Sequence, residues 1–241
     1  MEYGDDPIPD PDTVIVDVAG TISGTAGAVL VGGGPGTGSS QIVAVLPDQS
    51  ITTLFFSSGS ADFSDVNDMT FDKTGRLLIV SDHKVLTSTG GFPSPLITSS
   101  TVRIADVAVD ALNRIFVGFS DGTISIYDSD GGLVVDDFVT VFGSGPRIEF
   151  ATGGLFGTDL YALDFGNLYR FDSLGNSVVL ATGLNVSALV FGPDGAMYVS
   201  DGGNDSILRI APIATIPEPS SLFLLSFGAI ALLGYAWRRK R

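Results

Sequence analysis

Ser187 to Pro212 reads SALVFGPDGAMYVSDGGNDSILRIAP, and its order of elements decides the fold. A short apolar run, an Asp-Gly turn, a second apolar run, a polar Gly/Asn/Asp loop and a third run follow one another, which is three strands and two turns. The same order recurs upstream, so the chain is one supersecondary unit used several times.

Gly20 to Leu46 is the first unit, with Ile22-Ser23 over Val190-Phe191, Thr25-Ala26-Gly27 over Pro193-Asp194-Gly195, and Ile42 to Val45 as third strand. Ile51 to Phe56 is a fourth, outer strand. The second unit begins near Val66, turns at Asp72-Lys73-Thr74-Gly75 and continues through Leu77 to Val80 and Lys84 to Thr87. The third runs from Ala105 to Asp128, with Asn113 at the turn position, a residue that tolerates positive φ. The fourth comprises Ile148 to Phe150, Leu160 to Leu163, Asn167 to Phe171 and Val178 to Ala181. The residues opening each second strand, Ala28, Arg76, Arg114, Asp159 and Ala196, are spaced by about 42 residues on average, the period of propeller blades. A blade cannot bury its own faces, so blades pack side by side around an axis. The expected fold is therefore an all-β propeller of five units over residues 13 to 212. The fifth unit has no outer strand before Pro212, and Thr13 to Ala19, TVIVDVA, is expected to supply one by pairing with Ile207 to Ile210 and closing the ring. A solenoid or a two-sheet sandwich is the alternative from the same strands.

Composition agrees with a β body. The chain has 31 Gly and only 16% charged residues, which suits short strands and tight turns rather than exposed helices. It has no Cys, which excludes thiol nucleophiles, disulfides and thiolate metal sites. Net charge is −15, and four of the 12 basic residues are the last four, so the body is strongly acidic and repels a polyanion; nucleic acid is excluded as a partner. All the acids except Glu2, Glu149 and Glu218 are Asp, the acid that builds turns.

Gly192 to Ile210 resembles the NHL repeat and the related gluconolactonase-like propellers, whose blades carry a comparable Pro-Asp-Gly turn, aromatic-Val strand and Asp/Asn loop. In such folds the loops after the second strand and those leading into the first share one face. Asp62, Asp65 and Asp68 belong to that face, as do Asp82, Asp121, Asp164, Asp201 and Asp205. The resemblance implies a divalent metal near the axis, and Asp82, Asp121, Asp164, Asp201 and Asp205 are the candidate oxygen ligands for Ca²⁺. Against this stands the plainer role of Asp as a turn former, and Asp128-Ser129-Asp130-Gly131 lacks the rest of a calcium-loop spacing.

Other motifs weigh less. Gly33 to Ser40 imitates a phosphate loop but lacks its lysine and is followed by strand-like IVAV, not by a helix whose N-terminus would hold an anion. His83 is the one histidine, and adjacent Ser81-Asp82-His83 would point apart along a strand, which argues against a Ser-His-Asp triad. Asn185-Val186-Ser187 fits the short glycosylation pattern. Met1 to Asp12, MEYGDDPIPDPD, has acids and prolines where a secretory signal has a basic start and an apolar run, and reads as an exposed extended segment.

The C-terminal stretch gives an address. Residues 213 to 221 form a Pro-rich linker containing Pro217-Glu218-Pro219, and Leu222 to Trp237, LFLLSFGAIALLGYAW, has no charge. With Ser220 and Ser221 the span is about 27 Å long as a helix, close to a hydrocarbon core of about 30 Å. Tyr235 and Trp237 sit where an aromatic belt belongs, and Arg238, Arg239, Lys240 and Arg241 hold the basic end on the cytoplasmic side. This arrangement resembles the PEP-CTERM sorting signal of Gram-negative bacteria, also labelled an ice-binding-protein C-terminal domain. The resemblance implies recognition by an exosortase near Pro217-Glu218-Pro219 and delivery to the cell envelope, surface or extracellular matrix, with exopolysaccharide or another surface protein as possible partners. The expected function is a non-catalytic binding or scaffold module. The alternative is a metal-dependent lactonase-like hydrolase on the acidic loop face, and the side chains around the axis discriminate the two.

Overall fold

The structure, a computed structural model, describes residues 11–34, 39–58, 63–140, 143, 145–201, 204 and 206–211. The chain divides into two units, Met1–Ile210 and Ala211–Arg241. Of the second only Ala211 is among the described residues, so the linker, the span at 222–237 and the basic end lie outside them.

Nineteen described strands form five antiparallel sheets, the blades of a propeller. Blade 1 has β1 (Pro11–Asp17), β2 (Ala28–Gly33), β3 (Ser39–Val45) and β4 (Ile51–Ser58). Blade 2 has β5 (Asp68–Phe71), β6 (Leu77–Ser81), β7 (Lys84–Ser88) and β8 (Ser94–Thr98). Blade 3 has β9 (Ile104–Val109), β10 (Ile115–Phe119), β11 (Thr123–Tyr127) and β12 (Leu133–Thr140). Blade 4 has β13 (Arg147–Phe150), β14 (Leu160–Asp164), β15 (Asn167–Phe171) and β16 (Ser177–Ala181). Blade 5 has three strands, β17 (Val186–Phe191), β18 (Met197–Asp201) and β19 (Ser206–Ile210). Strands run in sequence order from the axis outward.

Burial explains the residue choice. The second strands β6, β10 and β14 are buried at every position, because each lies between two neighbouring blades; LLIVS, IFVGF and LYALD are therefore continuous runs rather than alternating ones. Outer strands such as β12 and β16 are mostly exposed. Four clusters of buried side chains fill the spaces between successive blades, 1–2, 2–3, 3–4 and 4–5. Leu30 and Ile42 of blade 1 meet Leu77 and Ile79 of blade 2 in the first of them.

The expected ring closure is overturned. β1, which holds Thr13 to Asp17, pairs with β2 from Thr13↔Gly32 to Asp17↔Ala28 and is the innermost strand of blade 1; among the described residues β19 pairs only with β18. The overlay of Ile22-Ser23 on an inner strand fails with it. Those residues belong to the turn between β1 and β2, where the Asp17 carboxylate accepts the N–H groups of Thr21, Ile22 and Ser23 at 2.8–2.9 Å and coils the chain. Among the described residues no buried cluster joins blade 5 to blade 1, and Val14, Val16 and Val18 on that flank are exposed.

The first-to-second-strand turns of blades 2 and 3 share one clamp. Asp72 Oδ1 accepts the N–H groups of Thr74 and Arg76, and its Oδ2 pairs with Arg76 Nε at 2.7 Å. Asp110 treats Leu112 and Arg114 in the same way. Asn113, at φ 63°, takes the left-handed position that Gly75 takes at φ 85°.

Candidate functional site

Three places can be built from these elements: the ring centre, the loop face after the second strands, and a cavity at the opposite face. At the centre each innermost strand has one edge paired to its own sheet and one edge free, so its backbone groups need other partners. Side chains supply them from blade to blade. Asp68 on β5 accepts Val107 N–H of β9 at 3.2 Å, and Asp106 on β9 accepts Ile148 N–H of β13 at 2.9 Å. Asp106 also accepts Val107 N–H at 2.8 Å. In blade 4 the equivalent position is Arg147, which donates backwards to the carbonyls of Ala105 at 3.0 Å and Asn67 at 3.4 Å. Thr13 Oγ1 donates to Asp68 at 3.5 Å and begins the series in blade 1.

Asp106 is buried, and its carboxyl is held well above the usual range by that burial and then by the neighbouring Asp68 carboxylate, to which it is hydrogen-bonded. Arg147 opposes the shift. Asp106 thus faces Asp68 while each acid serves a backbone donor of the next blade. Glu149 on β13 is pushed up to about 7, by burial first and by Asp68 second, against the Phe150 N–H and Lys73.

On the loop face the candidate ligands are dispersed into local bonds. Asp82 pairs with Arg103 Nε at 2.7 Å, and Arg103 also reaches Asp65 at 3.1 Å. Asp121 accepts the Thr123 N–H and hydroxyl. Asp164 is buried at the end of β14. Asp201 ends β18 with its side chain outside the described residues, as are Asp62 and Asp205. Among the described residues no three acidic or histidine side chains come close enough to hold a metal ion. His83 Nδ1 bonds the Val102 carbonyl at 3.0 Å, and its Nε2 lies 3.8 Å from Asp82. Ser81 Oγ accepts the N–H groups of Ser64 and Asp65, so it caps a loop and is not aligned with His83.

The cavity, about 410 Å³, opens on the face of the clamped turns between blades 3 and 4. Blade 4 makes room for it. Its first turn is widened to Ala151–Asp159, closed by Ala151 N–H to the Asp159 carbonyl at 3.1 Å and containing a 3-10 turn at Gly154–Phe156. Phe116, Phe138, Phe150 and Phe171 form the apolar wall, Thr152, Thr158 and Ser173 add hydroxyls, and Lys73 and Glu149 line it as well. Phe116 meets Phe150 edge to face at 4.9 Å, and Arg114 lies 5.5 Å above the Phe116 ring. None of the cavity's charged groups was singled out by motif. A usable signal exists for the ring centre: Asp68 and Asp106 each stand four residues before a turn Asp, at Asp72 and Asp110.

Comparison with known proteins gives the address and the fold. The PEP-CTERM protein-sorting motif matches residues 215–241. Its presence implies processing by an exosortase-type enzyme and targeting to the cell envelope. No curated protein matches the chain significantly. Among solved structures, an auxiliary nutrient binding protein from Bacteroides ovatus aligns with TM-score 0.63 at 14% identity, covering 84% of this chain and 56% of that one. A structure assigned as a gluconolactonase aligns with TM-score 0.63 at 12% identity, over 86% of this chain and 76% of that one. A catalytically inactive virginiamycin B lyase from Staphylococcus aureus, with quinupristin, aligns with TM-score 0.54 at 12% identity, over 79% and 69%. The chain spans little more than half the length of the first of these. At such identities the likeness is one of fold.

Proposed function

We propose that this protein is a non-catalytic binding or scaffold propeller displayed at the bacterial cell surface. Its C-terminal span inserts with Arg238 to Arg241 inside, and exosortase action near Pro217-Glu218-Pro219 releases the propeller to the surface or matrix. The observation that carries the non-catalytic reading is the use of the central acids: Asp68 and Asp106 accept backbone N–H groups of the next blade rather than facing a reactant. The cavity between blades 3 and 4 supplies a recessed surface of the size that takes small ligands.

Two experiments test this. In a host with an exosortase, and with an export signal fused at the N-terminus, the wild type should lose its last residues and leave the membrane fraction. Replacing Pro217, Glu218 and Pro219 by alanine should leave a full-length membrane form; equal processing of both would remove the sorting step. For the propeller, lactone hydrolysis assayed with Ca²⁺, Zn²⁺ and Mn²⁺ should stay at the buffer rate. Metal-dependent turnover abolished by Asp82→Asn would instead establish the hydrolase on the loop face.

A further inference from the structure

The charges lining the cavity fall into two groups. Asp110 is matched by Arg114 at 2.7 Å, Asp159 by Arg170, and Asp172 by the Asn176 amide and two backbone N–H groups. Glu149 is different: it is half-buried and forms no ion pair among the described residues, with the exposed Lys73 acting on it only from a distance. Lys73, at the exposed end of the lining, likewise makes no ion pair among them.

We propose that the cavity binds an organic ammonium ion, with the ammonium on the Glu149 carboxylate and its apolar body against Phe150, Phe138 and Phe116. A carboxyl recessed in the cavity with no bonded cation is costly, and a ligand that brings a bonded counter-charge recovers part of that cost on binding. Aromatic walls favour a cation over an anion, because a ring presents its negative face. The balance of the lining points the same way: with Asp110 and Asp159 already paired to arginines, Glu149 and Asp172 remain against Lys73. The net charge of −15 steers cations toward the molecule. A neutral sugar would satisfy hydroxyls and aromatic faces but would leave Glu149 without a bonded cation, and an anion would bring a like charge against it. Glu149 shows the strain of its unmatched position, being pushed up to about 7 by burial and Asp68. This names the ligand class of the binding role proposed above and rests on that role only in taking the cavity as the binding site.

The test is calorimetric titration of the purified full-length protein at pH 8 with 2-phenylethylammonium, its neutral isostere 2-phenylethanol, and glucose. The ammonium compound should bind about tenfold or more tightly than the alcohol, and Glu149→Gln should remove that difference. Asp121→Asn, remote on the loop face, should leave it unchanged. Equal binding of amine and alcohol, or a preference that survives Glu149→Gln, overturns the proposal. If glucose binds and the amine does not, the ligand class falls while the binding role stands. If none of the three binds, the ligand class falls and the cavity loses its place in the binding role. Thermal unfolding of Glu149→Gln accompanies the titration, and rescue of selectivity by Glu149→Asp separates a recognition role from a folding role.

Discussion

The seam between blades 3 and 4 and the flank of blade 1 that faces away from blade 2 are built from the same kind of sheet, yet among the described residues only one is covered. In the seam, Phe116, Ile124, Leu160 and Ala162 are buried between two sheets. On the flank, Val14 is 64% exposed and Val18 77%. Strand pairing alone therefore does not bury a blade; a neighbour does. The seams also differ from the flank in their polar links. Asp68 and Asp106 tie blades 2, 3 and 4 together, whereas blade 5 has Ala188 near the start of its inner strand and no carboxylate to continue the series.

That contrast can be broken by mutation. Phe116→Ala empties a site packed by Phe138 and Phe150 and should cost about 3–5 kcal/mol in urea unfolding. Val14→Ala should cost less than about 0.5 kcal/mol, as a surface change does. Equal losses would mean that blade 1 is covered in solution by something other than its own ring.

Asp106→Ala removes the acceptor for Ile148 N–H and one acceptor for Val107 N–H, and should cost about 2–3 kcal/mol. If the central acids were a reactive site rather than links, the same change would leave stability untouched.

Stability should also fall as pH rises through the neutral range. Glu149 and Asp106 have carboxyls raised above their unfolded values, so the folded state binds more protons between the ordinary carboxyl range and about 7. The Glu149 contribution is complete below about pH 4.5 and is lost as pH climbs through about 7, on the order of 3 kcal/mol; that of Asp106 runs in the same direction. Glu149→Gln should flatten the slope of unfolding free energy between pH 5 and 8 (a range set by that shift). A profile as steep as the wild type's would place the pH dependence elsewhere.

Smaller effects than those of the seam and the ring centre belong to the turns. Asp72→Ala should cost about 1 kcal/mol, because Thr74 and Arg76 lose their acceptor. Burial raises the Asp72 carboxyl, but hydrogen bonds from Thr74 and Arg76 outweigh it and hold the group below its ordinary value. Its contribution is thus present at neutral pH and lost as pH falls through the acid range, opposite in sign to that of Glu149, and acid unfolding of the variant measures it.

Much of this was legible in the sequence, for a physical reason. Strands such as Leu77 to Val80 are squeezed between two blades and appear as unbroken apolar runs; turns such as Asp72 to Gly75 carry their own hydrogen-bonding chemistry. The pairing of β1 is hidden in the sequence because the next turn is long: Asp17 gathers three N–H groups and makes Ile22-Ser23 imitate the end of a strand. The ring-centre acids left a trace in the four-residue interval before Asp72 and Asp110, which alternation alone hides among turn formers. Glu149 and the cavity left none, because the room comes from the widened turn of blade 4 and from rings that are distant in sequence.

That widened turn also bears on how the chain folds. In blades 2, 3 and 5 the first hairpin closes over a five-residue interval, as in Asp72 N–H to the Arg76 carbonyl, Asp110 to Arg114 and Gly192 to Ala196. In blade 4 the corresponding bond spans Ala151 to Asp159, twice the separation, and doubling a loop adds about 0.6 kcal/mol of closure entropy. Blade 4 lacks the Asp clamp as well, so its hairpin is the slowest of the four to nucleate, and the seam on either side of it must wait. Amide exchange during refolding should therefore protect Leu78 and Phe116 before Tyr161, making the blade 4 side of the cavity the last part of the propeller to acquire its shape.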